Sequence, residues 1–266
     1  MNAVQVDKLG RVFSARRSRE VIALDDINLE VGEGEFVSLI GPSGCGKSTL
    51  LRIVADLDSP TSGSATVFGK TTHQARLDQD YGIAFQQSGL LPWRTVAANV
   101  SLPLEVHGTD KSARRARVDE LLEMVGLGEF AKSYPDQLSG GMQQRVAIAR
   151  ALAESPKLLL MDEPFGALDE ITRERMQVEL VRICAETGAA VLFVTHSIPE
   201  AVFLSDRVVV MTPRPGRIVD IVSSKPIAGR RDDDFRDAEE FFHTVARVRE
   251  LLHSGPVSVA RGVENR

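Results

Sequence analysis

The chain has 266 residues, 43% hydrophobic and 26% charged, an ordinary balance for a globular protein with a sizeable core. Its 32 basic and 37 acidic residues leave a net charge of −5, which argues against nucleic-acid binding through bulk positive charge. Two cysteines, Cys45 and Cys184, make no disulfide framework and point to a reducing compartment, and the start Met1-Asn2-Ala3-Val4-Gln5-Val6 carries no apolar leader core.

In chain order, residues 4–13 and 23–30 predict strands. Phe36-Val37-Ser38-Leu39-Ile40 is an apolar run that predicts a buried strand, delivered into a glycine-rich turn and then a helix over 47–55. Residues 64–68 predict a further strand, which with 4–13 and 23–30 makes a flanking antiparallel layer, and 81–85 predict a strand just before Gln86. From 86 to 137 the strand signal stops: 95–104 and 111–125 predict helices, the second closed by Gly126-Leu127-Gly128, inside a helical insert of about 87–154. Residues 158–161, 190–195 and 207–211 are again short apolar strands separated by helical spacing. That alternation predicts an α/β fold, a parallel sheet with helices on its faces. Pro213-Arg214-Pro215-Gly216-Arg217 predicts a rigid turn into a strand over 218–222. Phe241, Val245, Val248 and Leu252, spaced four, three and four apart, predict one amphipathic helix over 235–252. The expected division is a domain over 4–230 and a C-terminal helix and tail over 231–266, with 230–234 a solvated linker and 254–266 a polar, frayed end. No run approaches the ~20 apolar residues that span a bilayer.

Three stretches carry chemistry. Gly41-Pro42-Ser43-Gly44-Cys45-Gly46-Lys47-Ser48-Thr49 fits G-x-x-x-x-G-K-[ST], a phosphate-binding loop. Its glycines let backbone N–H groups converge on an anion, and the helix start adds its positive end. Lys47 supplies a point charge for the β- and γ-phosphates, and the Ser48 hydroxyl suits Mg²⁺. Leu158-Leu159-Leu160-Met161-Asp162-Glu163 is a buried strand ending in two carboxylates, and Asp162 suits Mg²⁺ through its water shell. Ser139-Gly140-Gly141 opens a helix whose apolar positions are Met142, Val146 and Ala149. It is a second helix start with a hydroxyl and bare backbone, hence a second anion site. One chain then carries two half-sites for phosphate.

With the phosphate loop upstream, Leu138-Ser139-Gly140-Gly141-Met142-Gln143-Gln144-Arg145 resembles the nucleotide-binding subunits of ABC (ATP-binding cassette) transporters, over about residues 4–211. The resemblance implies a P-loop NTPase cassette: a RecA-like parallel core, an antiparallel β layer and a helical insert, hydrolysing ATP with Mg²⁺. It implies that Glu163 polarises the attacking water and that His196 contacts the γ-phosphate. Gln86, with Gln87 as a rival, reaches Mg²⁺ and senses a transmembrane partner. Ala167-Leu168-Asp169 matches the loop that couples two sites, with Gly166 where the family usually has Ser. Adenine stacks on an aromatic residue near the N-terminus, for which Phe13 is the candidate, against a core role for the same ring; such stacking leaves GTP use open. Ser139-Gly140-Gly141 of one subunit closes on the ATP of another, so a homodimer with ATP at its interface is expected.

Leu90-Leu91-Pro92-Trp93, the stretch from Glu163 to Asp169, and Pro213-Arg214-Pro215-Gly216-Arg217 resemble the nitrate/sulfonate/taurine branch of importers. Trp93 also admits a core reading. This branch implies two separate transmembrane permease subunits, an extracytoplasmic solute-binding protein, a peripheral place on the cytoplasmic face of the membrane, and no nucleic acid. The rivals are an exporter's ATPase and a soluble ABC ATPase; the latter usually shows two cassettes, coiled-coil inserts or cysteine clusters that this sequence lacks.

Overall fold

Four short runs, Phe36–Ile40, Leu158–Asp162, Ala190–Val194 and Arg207–Met211, are buried from end to end or nearly so, and they build the centre. The computed structural model describes residues 2–14, 20–226 and 233–254. Strands β1 (Asn2–Phe13), β2 (Val21–Gly32), β4 (Ser62–Val67) and β5 (Lys70–Thr71) form an antiparallel sheet in the order β2-β1-β4-β5. Strands β3 (Phe36–Ile40), β6 (Tyr81–Ala84), β7 (Leu158–Asp162), β8 (Ala190–Val194), β9 (Arg207–Met211) and β10 (Ile218–Ser223) form the second sheet, ordered β10-β9-β3-β8-β7-β6. All its pairings are parallel except the edge pair β10–β9.

Period-two alternation sends the side chains of this sheet into two cores. Val37, Leu39, Leu158, Leu160, Leu192 and Val209 face one way, and pack with Leu50, Leu51 and Val54 of α1 (Lys47–Val54) beneath the antiparallel sheet. Phe36, Leu159, Met161, Phe193, Val208 and Val210 face the other way, toward the remaining helices. These are α3 (Val96–Val106), α4 (Lys111–Met124), α5 (Gly140–Ala151), α6 (Glu170–Thr187), α7 (Ile198–Leu204), α8 (Asp233–Asp237) and α9 (Glu239–Ser254). Short α2 (Thr72–Leu77) follows β5.

Helices α3, α4 and α5 form the expected insert, and α5 returns tightly onto the sheet. A side-chain carbon on Gly82 of β6 would lie 2.1 Å from the Ala151 carbonyl oxygen, so only glycine allows this approach.

One predicted element needs correction, and two short ones are new. The single helix expected over 235–252 is divided at Ala238 into α8 and α9. The break lets Phe235 and Phe241 meet edge to face, 5.4 Å apart, and Phe235 also reach Phe203 at 6.4 Å. The buried stripe of α9 runs Phe241, Val245, Val248, Leu251, with Leu252 only half-buried. Residues β5 and α2 were not expected as elements; at two and six residues they are too short to show a period, and α2 starts because the Thr71 side chain accepts the Gln74 N–H. Most of the proposed linker 230–234, the boundary between domains and all but the first residue of the tail 254–266 lie outside the described residues.

Candidate functional site

Strands β3, β8, β7 and β6 are neighbours and parallel, so their C-terminal ends open on one edge. The chain leaves that edge through Gly41 after β3, Thr195 and His196 after β8, Glu163 after β7, and Gln86 just past β6. The register sets Asp162 opposite Val194 and Met161 opposite Ala84, which brings residues far apart in sequence to one place.

The phosphate loop is a cradle that side chains would fill. Gly46 lies at φ +104° and a Cβ there would come within 2.5 Å of Leu24 Cδ2; a Cβ on Gly41 would lie 2.8 Å from Cys45 Sγ. Helix α1 begins on Gly46 with no side-chain cap and no acidic residue in its first turn, which leaves its first N–H groups and positive end to an anion. Lys47 is buried, and its ammonium donates to the Gly41 carbonyl at 2.7 Å and the Pro42 carbonyl at 3.2 Å.

The carboxylates stand beside it. Ser48 Oγ donates to Asp162 Oδ1 at 2.9 Å, and burial pushes the Asp162 carboxyl above its ordinary range. Glu163 sits in the left-handed backbone region at φ +47°, where its N–H donates to the Val194 carbonyl at 2.9 Å. Strain of this kind gathers at functional positions. One oxygen of Glu163, Oε2, accepts from Gln86 Nε2 at 3.2 Å and faces His196 Nδ1 at 3.2 Å. Gln86 makes this contact, although it and its neighbour Gln87 are both exposed.

A cleft of about 320 Å³ joins residues 43–49, including Ser43, Gly44 and Thr49, to Gln86, Glu163, Arg214 and Phe13. Phe13 is 42% exposed at its rim, with the Arg11 guanidinium 4.5 Å over the ring, so it is not a core side chain. The donor set fits Mg²⁺ and a nucleotide phosphate. Ser48 and Asp162 offer hard oxygens, and among the described residues no cluster of three His, Cys, Asp or Glu competes for a softer metal.

Ser139, Gly140 and Gly141 are not in that cleft. Ser139 is exposed and caps α5 by accepting the Met142 N–H at 3.2 Å. A Cβ on Gly141 would lie 3.1 Å from the Ala167 carbonyl oxygen, so this helix start touches the Ala167–Asp169 loop. Asp169 caps α6 through the Thr172 N–H at 3.0 Å, which holds its carboxyl below the ordinary range.

Two supports escaped sequence reasoning. The Gln86 loop is strapped to α5: Gln144 Nε2 donates to the Phe85 carbonyl at 2.9 Å, and Arg150 donates to the Ser88 and Gly89 carbonyls at 2.8 and 2.9 Å. Behind His196, buried Glu200 accepts from the Thr195 hydroxyl and, at 2.9 Å, from Gln177, whose own oxygen accepts from Arg236 of α8 at 2.7 Å. An acid inside the apolar run Ile198–Leu204 is the signal that would have flagged Glu200. Trp93 is 72% exposed, which removes its core reading.

A family profile described as ABC transporter matches residues 24–166. The chain is 46% identical over 255 residues to a taurine import ATP-binding protein of Rhizobium johnstonii, covering 94% of this chain and 97% of that one. It is 42% identical to a nitrate import ATP-binding protein of Synechocystis, with 94% of each chain covered. An uncharacterized ABC transporter ATP-binding protein of Methanocaldococcus jannaschii is 53% identical over 82% of this chain and 81% of its own. Among solved structures, a dimeric bacterial ABC transporter cassette superposes with a TM-score of 0.78 at 36% identity, covering 84% of this chain and all of that one. A post-hydrolysis state of the same cassette, bound to ADP and phosphate, gives a TM-score of 0.77. Motifs, fold and relatives agree, and the chain belongs to the ABC transporter family as one of its ATP-binding members.

Proposed function

We propose that this chain is the ATP-hydrolysing subunit of an importer for a small oxyanion-bearing solute of the taurine or nitrate kind. The observation that carries the catalytic reading is the convergence of Gln86 and His196 on one oxygen of Glu163, beside the phosphate cradle. A carboxylate placed so, and not needed to grip phosphate, accepts a proton from the attacking water and orients it. Gln86 and His196 fix its direction. Ser48 and Asp162 would hold Mg²⁺, which neutralises charge on the phosphates when bound. Lys47 and the N–H groups of the loop bind the polyphosphate, and Phe13 stacks on the base.

Ser139, Gly140 and Gly141 serve a second nucleotide, held by a partner copy, with Asp169 beside them at the contact. Their exposure and separation from the chain's own cleft support a head-to-tail homodimer. Two transmembrane permease subunits complete the assembly on the cytoplasmic face of the membrane, with an extracytoplasmic solute-binding protein; no helix among the described residues is long and apolar enough to cross a membrane. A groove of about 390 Å³ between β6, α3 and the end of α5, lined by Tyr81, Phe85, Leu102 and Val106, suits a permease helix, and exposed Trp93 lies in the loop that follows Gln86.

Mixing two inactive variants tests the dimer. Ser139→Arg and Lys47→Ala each disable both sites of their own homodimer, while the mixed pair holds one site with both defects and one with neither. ATP-dependent association of the mixture, absent for each variant alone, is expected. A mixture that associates no better than its components removes the trans arrangement. Co-purification of an epitope-tagged chain with membrane subunits from its own cells tests the importer assembly.

A further inference from the structure

The turn between β9 and β10 is built against the phosphate loop. At its start, Met211 O stands 3.0 Å from where a Cβ of Gly41 would lie, and at its end a Cβ on Gly216 would lie 2.0 Å from Cys45 O. Backbone bonds then tie the turn to β2: Gly216 N–H donates to Ala23 O at 2.9 Å, and Asp25 N–H donates to Gly216 O at 3.0 Å. The Thr212 hydroxyl closes the turn internally, donating to Pro215 O at 2.8 Å and accepting the Arg217 N–H at 2.9 Å, while Arg217 Nε donates to Asp25 at 2.9 Å. Both ends are fixed, so the apex has a defined place.

That apex is Arg214. Its side chain is exposed and lines the same cleft as Lys47, Ser48 and Phe13. Its guanidinium reaches the Gly44 carbonyl with contacts of 3.3 and 3.4 Å. Charge-assisted bonds to good acceptors close to about 2.7–2.9 Å, so this neutral carbonyl is a weak partner. Asp162 and Glu163 already place two carboxylates at the site, and Lys47 sits at its inner end, bonded to loop carbonyls. A bound polyphosphate adds negative charge, and among the described residues Lys47 is the one cationic side chain besides Arg214 that lines the cleft to meet it. Arg214 stands against Gly44 of the loop and lines the cleft into which the loop opens.

We propose that Arg214 is a nucleotide-binding residue: its guanidinium exchanges the Gly44 carbonyl for the polyphosphate of the bound nucleotide, clamping it opposite Lys47. This rests on the nucleotide-site reading above. The turn supplies position, and the fork of N–H donors supplies the match to phosphate oxygens.

The test titrates the full chain with ATP and with ADP, for wild type, Arg214→Ala, Arg214→Lys and Lys47→Ala, at low and high salt, alongside thermal unfolding without nucleotide. Arg214→Ala is expected to weaken ATP binding about tenfold and ADP binding less, with a shallower salt dependence than wild type. Arg214→Lys recovers part of the loss at low salt, and unfolding of the nucleotide-free protein shifts little for both. Unchanged ATP affinity in Arg214→Ala overturns the proposal. So does a loss matched by lower nucleotide-free stability and untouched by lysine, because the turn would then only brace the loop. If Lys47→Ala also leaves ATP binding unchanged, the nucleotide-site reading itself fails; if Lys47→Ala alone loses binding, that reading stands and only the Arg214 clamp falls.

Discussion

Helices α1 and α5 start alike in sequence and unlike in surroundings. Both follow a residue that is small or polar, both lack acidic side chains in the first turn, and both offer glycine backbone. At α1 the first turn is enclosed: Gly46 has no room for a side chain, and Lys47 is buried beneath the loop. At α5 the cap Ser139 is exposed and Gly140 has no atom within 4 Å of where a Cβ would stand. An exposed helix end stabilises an anion by only about 0.3–1 kcal/mol, whereas an enclosed one with a fixed cation contributes far more. On the reading proposed above, the first start would grip a nucleotide by itself, and the second would gain strength only when another surface covers it.

The largest effect expected is on turnover. Glu163→Gln should slow hydrolysis by about 10²–10⁴-fold while binding persists, which would trap the covered state of α5 as an ATP-dependent dimer. Single-turnover hydrolysis with sizing chromatography measures both, and near-normal turnover removes Glu163 from the mechanism. Lys47→Ala attacks the enclosed helix start and should weaken Mg-ATP binding by about 10²-fold, read by equilibrium titration. If affinity is unchanged, the distinction between the two helix starts collapses.

Ser139→Ala tests the exposed start. Loss of the cap should cost about 1 kcal/mol in thermal or denaturant unfolding, with ATP binding to the separate chain untouched. A binding defect of the Lys47→Ala size would mean that α5 serves its own cleft.

Asp162 supplies the smallest shift, and its sign is fixed by burial. Its carboxyl is raised, so the folded protein holds that proton more tightly than the unfolded chain does. Stability is therefore lost as pH rises from the ordinary carboxylate value, near 4, through the raised one. Asp162→Asn removes the buried charge. Without nucleotide it should melt higher than wild type, by a margin that grows across that window, and it should lose the extra stability that Mg-ATP gives. A margin independent of pH would show that burial of the charge is not its source.

How much of this was legible beforehand depends on range. Leu158–Met161 and Phe36–Ile40 are covered on both faces, so their composition alone marks them as central strands. The phosphate loop was legible because its chemistry is contiguous. The encounter of Gln86, Glu163 and His196 was not contiguous; only the family resemblance proposed their roles, and strand order is what brings them together. Glu200 with Gln177 and Arg236, and Gln144 with Phe85, are side-chain meetings across unrelated elements, which no local pattern records. The break at Ala238 was missed because the apolar spacing continues through it. Aromatic packing, not periodicity, decides it.

The tight seat of Gly82 under Ala151 has a mechanical side. Helix α5 has 12 residues and is a rod ~18 Å long. One tip is Ser139, and the other is pinned against β6, where the proposed permease groove lies. A tilt of ~5° about the pinned tip carries the free tip through ~1.5 Å, half the length of a hydrogen bond. If both proposed sites hold, a force applied in the groove would be magnified into a making or breaking of contact between Ser139 and the nucleotide of the partner copy, and an alanine at position 82 would act as a wedge driven under the fulcrum.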